Sequence, residues 1–404
     1  MGKKVNKEVE IRKSAGFWFW LFRGIFRLIA YFKYRFRTKV NHLKKKGPFL
    51  IICNHNTALD PGFLGIAFDF PIYYVASTQI FNMGLLSRIV SYLFSPIPKA
   101  KSQIDIYTIK KMKRVISNGG SIGLFPEGNL TYTGETAFLP ESIIKLIKFL
   151  NIPVIIYHTN GLYFSNPRWS VNRKYGKTGG EIVRIISKEE INSFSDEELY
   201  VIIKDNFYNN AYSERTNPIY TGKNKAVGLE RLLFICPKCH KVLTLKSEGD
   251  DIKCSNCNYE ATYLENGLLD DKTNKTDIPT LEMNQRDLFI NYLDTFTNGT
   301  IFEENVNLFE SNSKKKIDLG MMNLSINPEA IILKKDSETN IYLYKDIISL
   351  SIQGKNKLIL SIVGNKTFLI ILQGISSPYK YLLTYQYYKQ REHELIVDKN
   401  KLGL

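Results

Sequence analysis

Between Pro48 and about Ser187, short apolar runs of strand length alternate with helical patterns, and that alternation leaves few folds open to the chain. The runs are FLIICN (49–54), PIYYVAS (71–77), SIGLF (121–125), IPVIIYH (152–158) and EIVRIIS (181–187). They are rich in Ile, Val, Phe and Tyr, as strands are. Residues 104–118 and 141–150 place apolar side chains three and four apart and predict helices, each preceding a strand. Such alternation argues for an α/β layered domain. A further helix is expected over about 195–212, because Ser195 and Glu198 have the spacing of a capping box.

Downstream the pattern changes. YSERTNPIYTGKNKAVG reads as a linker, and residues 230–268 form a small cysteine module. Cys236, Cys239, Cys254 and Cys257 make a Cys-x2-Cys-x14-Cys-x2-Cys pattern that lets two thiolate knuckles converge on one tetrahedral ion, with zinc as the natural occupant. The residues between the pairs read as two short strands joined at Gly249, as in a zinc ribbon. Four cysteines close the coordination shell, so the expected zinc is structural. His240, beside Cys239, is the alternative ligand. With five cysteines in 404 residues, the paired spacing points to a metal site in a reducing compartment rather than to secreted disulfides. DDKTNKTD then reads as a second linker. From about 299 to 375, alternating β-branched runs predict an antiparallel sheet, closed by a helix from Ser377 to about Arg391.

Charge narrows the choice of partner. Lys and Arg number 55 against 39 Asp and Glu, a net +16, and residues 1–46 alone carry +12. Within them, FWFWLFRGIFRLIAYFKYRF (17–36) is apolar and aromatic but interrupted by Arg23, Arg27, Lys33 and Arg35. A central Arg costs at least ~2.5 kcal/mol inside a bilayer, so this segment is expected to lie in an anionic membrane interface rather than cross it. Each Lys or Arg near such a leaflet adds roughly 1 kcal/mol. The competing reading is an ordinary buried helix. A nucleic-acid partner is not expected, because the cysteine module carries only +1 between residues 236 and 257.

Two motifs carry chemistry. At the end of the first strand, Cys53-Asn54-His55-Asn56-Thr57-Ala58-Leu59-Asp60 sets His55 and Asp60 five apart on a turn. There the carboxylate can orient one ring nitrogen and leave the other free to take a proton. Phe125-Pro126-Glu127-Gly128 ends another strand. Ligand crevices of open α/β sheets form at such strand ends. Glu127 can meet a substrate hydroxyl or position its own backbone, and Gly128 permits close approach of the chain. Read singly, each motif is also compatible with a plain turn.

NHNTALD followed by GLFPEGN and then IPVIIYHTNG resembles the glycerolipid acyltransferases related to lysophosphatidic acid acyltransferase, over about residues 15–215. The resemblance implies a mixed sheet flanked by helices, His55 as general base, Asp60 as its partner, and Phe125, Pro126, Glu127 and Gly128 in the acceptor site. It also implies an acyl thioester donor, acyl-CoA or acyl-carrier protein, and a lysophospholipid acceptor such as 1-acyl-glycerol-3-phosphate. The expected division is a membrane-binding segment (1–46), an acyltransferase domain (47–225), a zinc ribbon (230–268) and a C-terminal β-rich domain (281–396) similar in element order to a pleckstrin-homology domain. The expected location is the cytoplasmic face of a membrane, as a peripheral or monotopic protein. Two positions depart from the family: Leu130 stands where an Arg usually follows F-P-E-G, and Lys99, in SPIPKAKS, where another Arg is usual. Lys99 and Lys101 are therefore the candidates for anion contact. An acceptor hydroxyl must lose its proton as it attacks a thioester, and an imidazole, with a pKa in water of about 6.5, suits that task. Cys53, two residues before His55, is an alternative nucleophile on the same strand face. The contrasting reading is a noncatalytic membrane scaffold built on an acyltransferase domain, which Leu130 and Lys99 keep open.

Overall fold

The computed structural model describes residues 15–43, 47–77, 95–99, 106–136, 138–213, 219–312, 315–364 and 366–402. The chain forms two compact units: one runs to Pro167 and resumes over Tyr175–Thr221, and the other comprises Arg168–Lys174 and Gly222–Leu404.

The first unit is built on a sheet of β1 (Phe36–Arg37), β2 (Leu50–Cys53), β3 (Ile72–Ser77), β4 (Ile97–Lys99), β5 (Ser121–Leu124) and β6 (Val154–Asn160). A short ribbon pairs β7 (Tyr175–Gly176) with β9 (Tyr220–Thr221), and between them β8 (Thr178–Ile186) completes the main sheet. The spatial order is β1-β8-β6-β2-β5-β3-β4, and only the β6–β8 pairing is antiparallel. The sheet is thus mixed, with β2 near its centre.

Strand alternation builds a core on each face. Leu50 and Ile52 of β2 join Ile122, Leu124 and Ile97 beneath α3 (Ile106–Ser117), α4 (Ser142–Leu150), α6 (Lys188–Ser193) and α7 (Asp196–Phe207). Ile51 and Cys53 point the other way, against Leu64 and Phe68 in and beyond α2 (Asp60–Ile66). Helix α1 (Ala15–Tyr34) packs on α2 through Ala30 and Tyr34, around the buried Phe63, with α5 (Leu162–Ser165) adding Leu162. Phe26 and Tyr34 meet Phe63 edge-on at 5.3 and 5.1 Å. A Cβ on Gly62 would sit 2.5 Å from the Phe26 ring, so any larger residue there would have to displace that ring. The other side of α1 is open: Phe17, Trp20, Leu21, Ile25, Leu28, Ile29 and Phe32 are exposed, Phe32 by 76%. Among the described residues, no helix is long and apolar enough to cross a membrane.

Several bounds differ from those expected. β8 begins at Thr178 and runs through Gly179–Gly180, residues that weaken strands in general. Here a Cβ on Gly180 would meet the Tyr157 hydroxyl at 2.4 Å. The capping box of Ser195 and Glu198 forms, but α7 stops at Phe207, where Asn209 pairs with Thr136 instead of continuing the helix. Ser187 and Glu190 make a second box that starts α6.

In the second unit, β10 (Leu245–Glu248), β11 (Asp251–Cys254), β12 (Glu260–Tyr263), β13 (Leu269–Asp270) and β14 (Lys275–Thr276) form an antiparallel meander. The segment expected to be a linker is the β13–β14 hairpin, because the Asp271 carboxylate accepts from the Thr273 and Asn274 amides and closes the turn. Helix α8 (Ile278–Asp294), capped by Asp277, follows. Then β15 (Phe302–Asn312), β16 (Lys315–Ile326), β17 (Ala330–Lys335), β18 (Glu338–Leu343), β19 (Ile347–Gln353), β20 (Lys357–Ile362) and β21 (Lys366–Leu372) form an antiparallel sheet in the order β18-β17-β16-β15-β21-β20-β19. It is closed by α9 (Pro378–Leu402), which buries Tyr379, Tyr381, Tyr385 and Tyr388 and runs past the expected end at Arg391.

Candidate active site

The turn after β2 is organised around a fully buried carboxylate. Asp60 is 0% exposed and takes hydrogen bonds from the Asn56 amide (2.6 Å), the Thr57 amide (2.9 Å), the Thr57 hydroxyl (2.8 Å) and His55 Nδ1 (2.9 Å). A carboxylate only accepts, so Nδ1 carries a hydrogen, and in the neutral ring it is Nε2 that offers the lone pair. The imidazole keeps 19% of its surface exposed, whereas the Asp60 carboxylate has none.

The second motif is fastened to the first. Glu127 Oε1 accepts from the His55 amide at 2.8 Å, and the Thr131 amide donates to the His55 carbonyl at 2.8 Å. Gly128 takes a φ of +68° in this turn and donates to the Phe125 carbonyl. Phe125 lays its ring face on the imidazole, centroids 4.4 Å apart and planes 24° from parallel. The structure therefore brings His55, Asp60, Phe125 and Glu127 together, with Pro126 and Gly128 on the same turn. The direction of the Glu127 carboxylate was open in the sequence; one oxygen serves the backbone of His55.

Lys99 ends β4 on the same rim of the sheet, three strands from β2, or roughly 14 Å at ~4.8 Å per strand. Alternation gives it the face of Ile97, under α3 and α4, whereas Phe125 and His55 stand on the other. Partial burial lowers its ammonium pKa. Lys101 lies outside the described residues.

Cys53 is wholly buried in the α2-side core. Burial, reinforced by the Asp60 and Glu127 charges, pushes its thiol well above the ordinary range, so it is not poised as a nucleophile.

Residues unmarked in the sequence finish the turn. Asn54 accepts from the Thr159 amide (2.8 Å) and donates to its carbonyl (3.1 Å), and Asn56 donates to the same carbonyl (3.0 Å). Thr159 lies at the end of β6, beside β2. The available signal was two asparagines flanking a histidine at a strand end, where buried amides need partners.

In the second unit, Cys236, Cys239, Cys254 and Cys257 place their sulfurs within 4.8 Å of one another. The Cys236–Cys257 and Cys239–Cys254 separations are both 3.7 Å. Four thiolates around zinc at about 2.3 Å would stand ~3.8 Å apart, so the cluster fits a tetrahedral ion. His240 is exposed on the outside of its knuckle.

Residues 33–156 match the family model described as Acyltransferase. The 1-acyl-sn-glycerol-3-phosphate acyltransferase of Borreliella burgdorferi is 27% identical over 137 residues, covering 32% of this chain and 53% of that protein. The enzyme of the same name from Saccharomyces cerevisiae is 26% identical over 190 residues, covering 43% and 61%. The chain thus spans between half and two thirds of these curated relatives. Among solved structures, the 1-acyl-sn-glycerophosphate acyltransferase PlsC from Thermotoga maritima aligns with 46% of this chain and 75% of its own at 16% identity, TM-score 0.39. Over residues 33–156 the chain is thus similar to the acyltransferase family, and the relatives it resembles are named as lysophosphatidic acid acyltransferases, which are O-acyltransferases.

Proposed function

We propose that this chain transfers a fatty acyl group from an acyl thioester, acyl-CoA or acyl-carrier protein, to the hydroxyl of a lysophospholipid-like acceptor, with 1-acyl-glycerol-3-phosphate foremost. The observation that carries the reading is the His55 Nδ1–Asp60 bond on a turn fastened to Glu127. Nε2 of His55 removes the proton as the acceptor oxygen attacks the thioester carbonyl, and the protonated imidazole returns it to the leaving thiolate. No acyl-enzyme is formed. Phe125, Pro126, Glu127 and Gly128 bound the acceptor site; Lys99, on the other face of the sheet, is not brought to it, which leaves Lys101 as the candidate for its anionic group. The activity carried in the names of both relatives agrees with this chemistry. Purified protein incubated with labelled acyl thioester and a panel of lysolipids is expected to yield diacylated product from 1-acyl-glycerol-3-phosphate; no product from any acceptor would favour the scaffold reading.

Residues 1–46 serve as the membrane-binding segment, 47–225 as the acyltransferase domain, 230–268 as a zinc ribbon holding a structural ion, and 281–396 as a pleckstrin-homology-like domain. The protein sits on the cytoplasmic face as a peripheral or monotopic protein. Support for attachment comes from the contiguous exposed apolar side chains of α1, a kind of patch that soluble surfaces rarely carry without a partner. Leu28→Glu combined with Phe32→Glu is expected to cut co-sedimentation with anionic liposomes at least about tenfold, since two apolar contacts are lost and two repelled charges gained. Both side chains are exposed, so folding should be unchanged. Retained binding would remove α1 from the interface.

A further inference from the structure

β3 carries two adjacent tyrosines that alternation separates. Tyr73 enters the core under α3, and Tyr74 takes the face on which His55 stands. In register, Tyr74 lies beside Gly123 of β5. A Cβ on Gly123 would be 2.6 and 2.7 Å from Cδ1 and Cε1 of Tyr74, so the ring lies over the bare glycine backbone. From there it stacks on Phe125, two residues further along β5's face, at 6.4 Å and 16°. Phe125 in turn stacks on His55. At its other end the Tyr74 hydroxyl donates to the Pro61 carbonyl at 2.6 Å, and Pro61 follows Asp60, the partner of His55 Nδ1. Burial raises the phenol pKa well above its usual value, which keeps the hydroxyl a donor.

These contacts form a closed circuit from His55 through Asp60, Pro61, Tyr74 and Phe125 back to His55. The Nδ1 bond alone sets a direction in the imidazole plane but leaves the ring free to tilt about it. A stacked ring removes that freedom. We infer that Tyr74 is a positioning residue for His55, acting through Phe125 on one side and the Asp60–Pro61 backbone on the other, and that residue 123 is glycine in order to seat the tyrosine ring. The inference rests on the reading of His55 as the base, whose Nε2 must reach a hydroxyl within about 2.6–3.2 Å.

The test compares Tyr74→Leu, Tyr74→Phe and Gly123→Ala by two readouts: kcat and KM for acyl transfer, and the His55 Nδ1–H resonance of 15N-histidine-labelled protein. Tyr74→Leu removes the stack and the bond to Pro61, and kcat should fall roughly ten- to thirtyfold with KM within about twofold, with the Nδ1–H signal broadened. Tyr74→Phe keeps the stack and should lose only about threefold. Gly123→Ala displaces the ring and should follow Tyr74→Leu. A folded Tyr74→Leu protein with kcat within about twofold of wild type and an unaltered His55 signal overturns the inference, because a purely structural role would lower stability alone. If the wild-type protein transfers no acyl group, the base assignment fails; the resonance of Tyr74→Leu then decides the brace by itself, broadened if it exists and unchanged if it does not.

Discussion

His55→Ala is expected to lower kcat for acyl transfer by at least about 10³-fold, roughly 4 kcal/mol of barrier, in a protein that folds normally. The site makes this the cleaner substitution of the pair. Removing the imidazole forfeits one hydrogen bond to Asp60 and one stacking contact with Phe125, while the His55 backbone remains tied to Glu127 and Thr131. Asp60→Ala would instead strand the Asn56 and Thr57 amides and the Thr57 hydroxyl in a buried turn, at about 1–3 kcal/mol each, so that a loss of activity could not be told from a loss of structure. Cys53→Ala is the companion measurement. Its thiol sits in the apolar core with its pKa driven up by burial, and kcat should stay within about threefold of wild type. Steady-state kinetics with circular dichroism of each variant checks both. A His55→Ala enzyme of near-normal rate would exclude the base mechanism, and an inactive, folded Cys53→Ala would reopen the acyl-enzyme route.

The parts of this fold that sequence made legible are those where a local pattern and its burial agree. Leu50–Cys53, Ser121–Leu124 and Val154–Asn160 are runs buried on both faces, and such strands read as nearly unbroken apolar segments. His55, Asp60 and the Phe125–Gly128 turn were visible because residues five apart on one turn must be neighbours, whereas their joining across 72 residues through Glu127 needed the β2–β5 pairing. The rest depended on distant partners. Gly179–Gly180 extends a strand because Tyr157 and Arg37 press against it. Asp271 makes a hairpin of a polar stretch through its carboxylate, which composition scored only as hydrophilic. Tyr74 carried no signal at all: its meaning comes from the glycine beside it and the carbonyl at Pro61.

Removing metal from the cysteine cluster is expected to unfold residues 230–268 while the His55 turn of the first unit keeps its structure. Beyond the buried Leu232–Ile235 run that leads into the first knuckle, the module has few apolar side chains to hold it: Leu245, Ile252, Ala261 and Tyr263 are buried in its meander, and β11 ends on Cys254 itself. Small folds of this kind lean on a staple, and a structural zinc supplies free energy on the order of 10 kcal/mol at neutral pH. The backbone of both knuckles is tied locally: the His240 amide donates to the Cys236 carbonyl, and the Asn256 amide reaches the Cys254 sulfur at 3.4 Å. Gln285 of α8 reinforces the entry to the first knuckle, its side-chain oxygen accepting from the Phe234 and Ile235 amides at 2.6 and 3.0 Å. Metal analysis should therefore find about one zinc per chain, and Cys236→Ser with Cys254→Ser should abolish it. Chelation should release the ion, expose residues 230–268 to hydrogen exchange and lower the Tm. With four thiolates closing the shell no position remains for substrate, so short-term acyl transfer by the chelated protein should stay within about threefold of the loaded one. A chain that purifies without metal and resists exchange throughout this segment would show that the four sulfurs meet for packing alone.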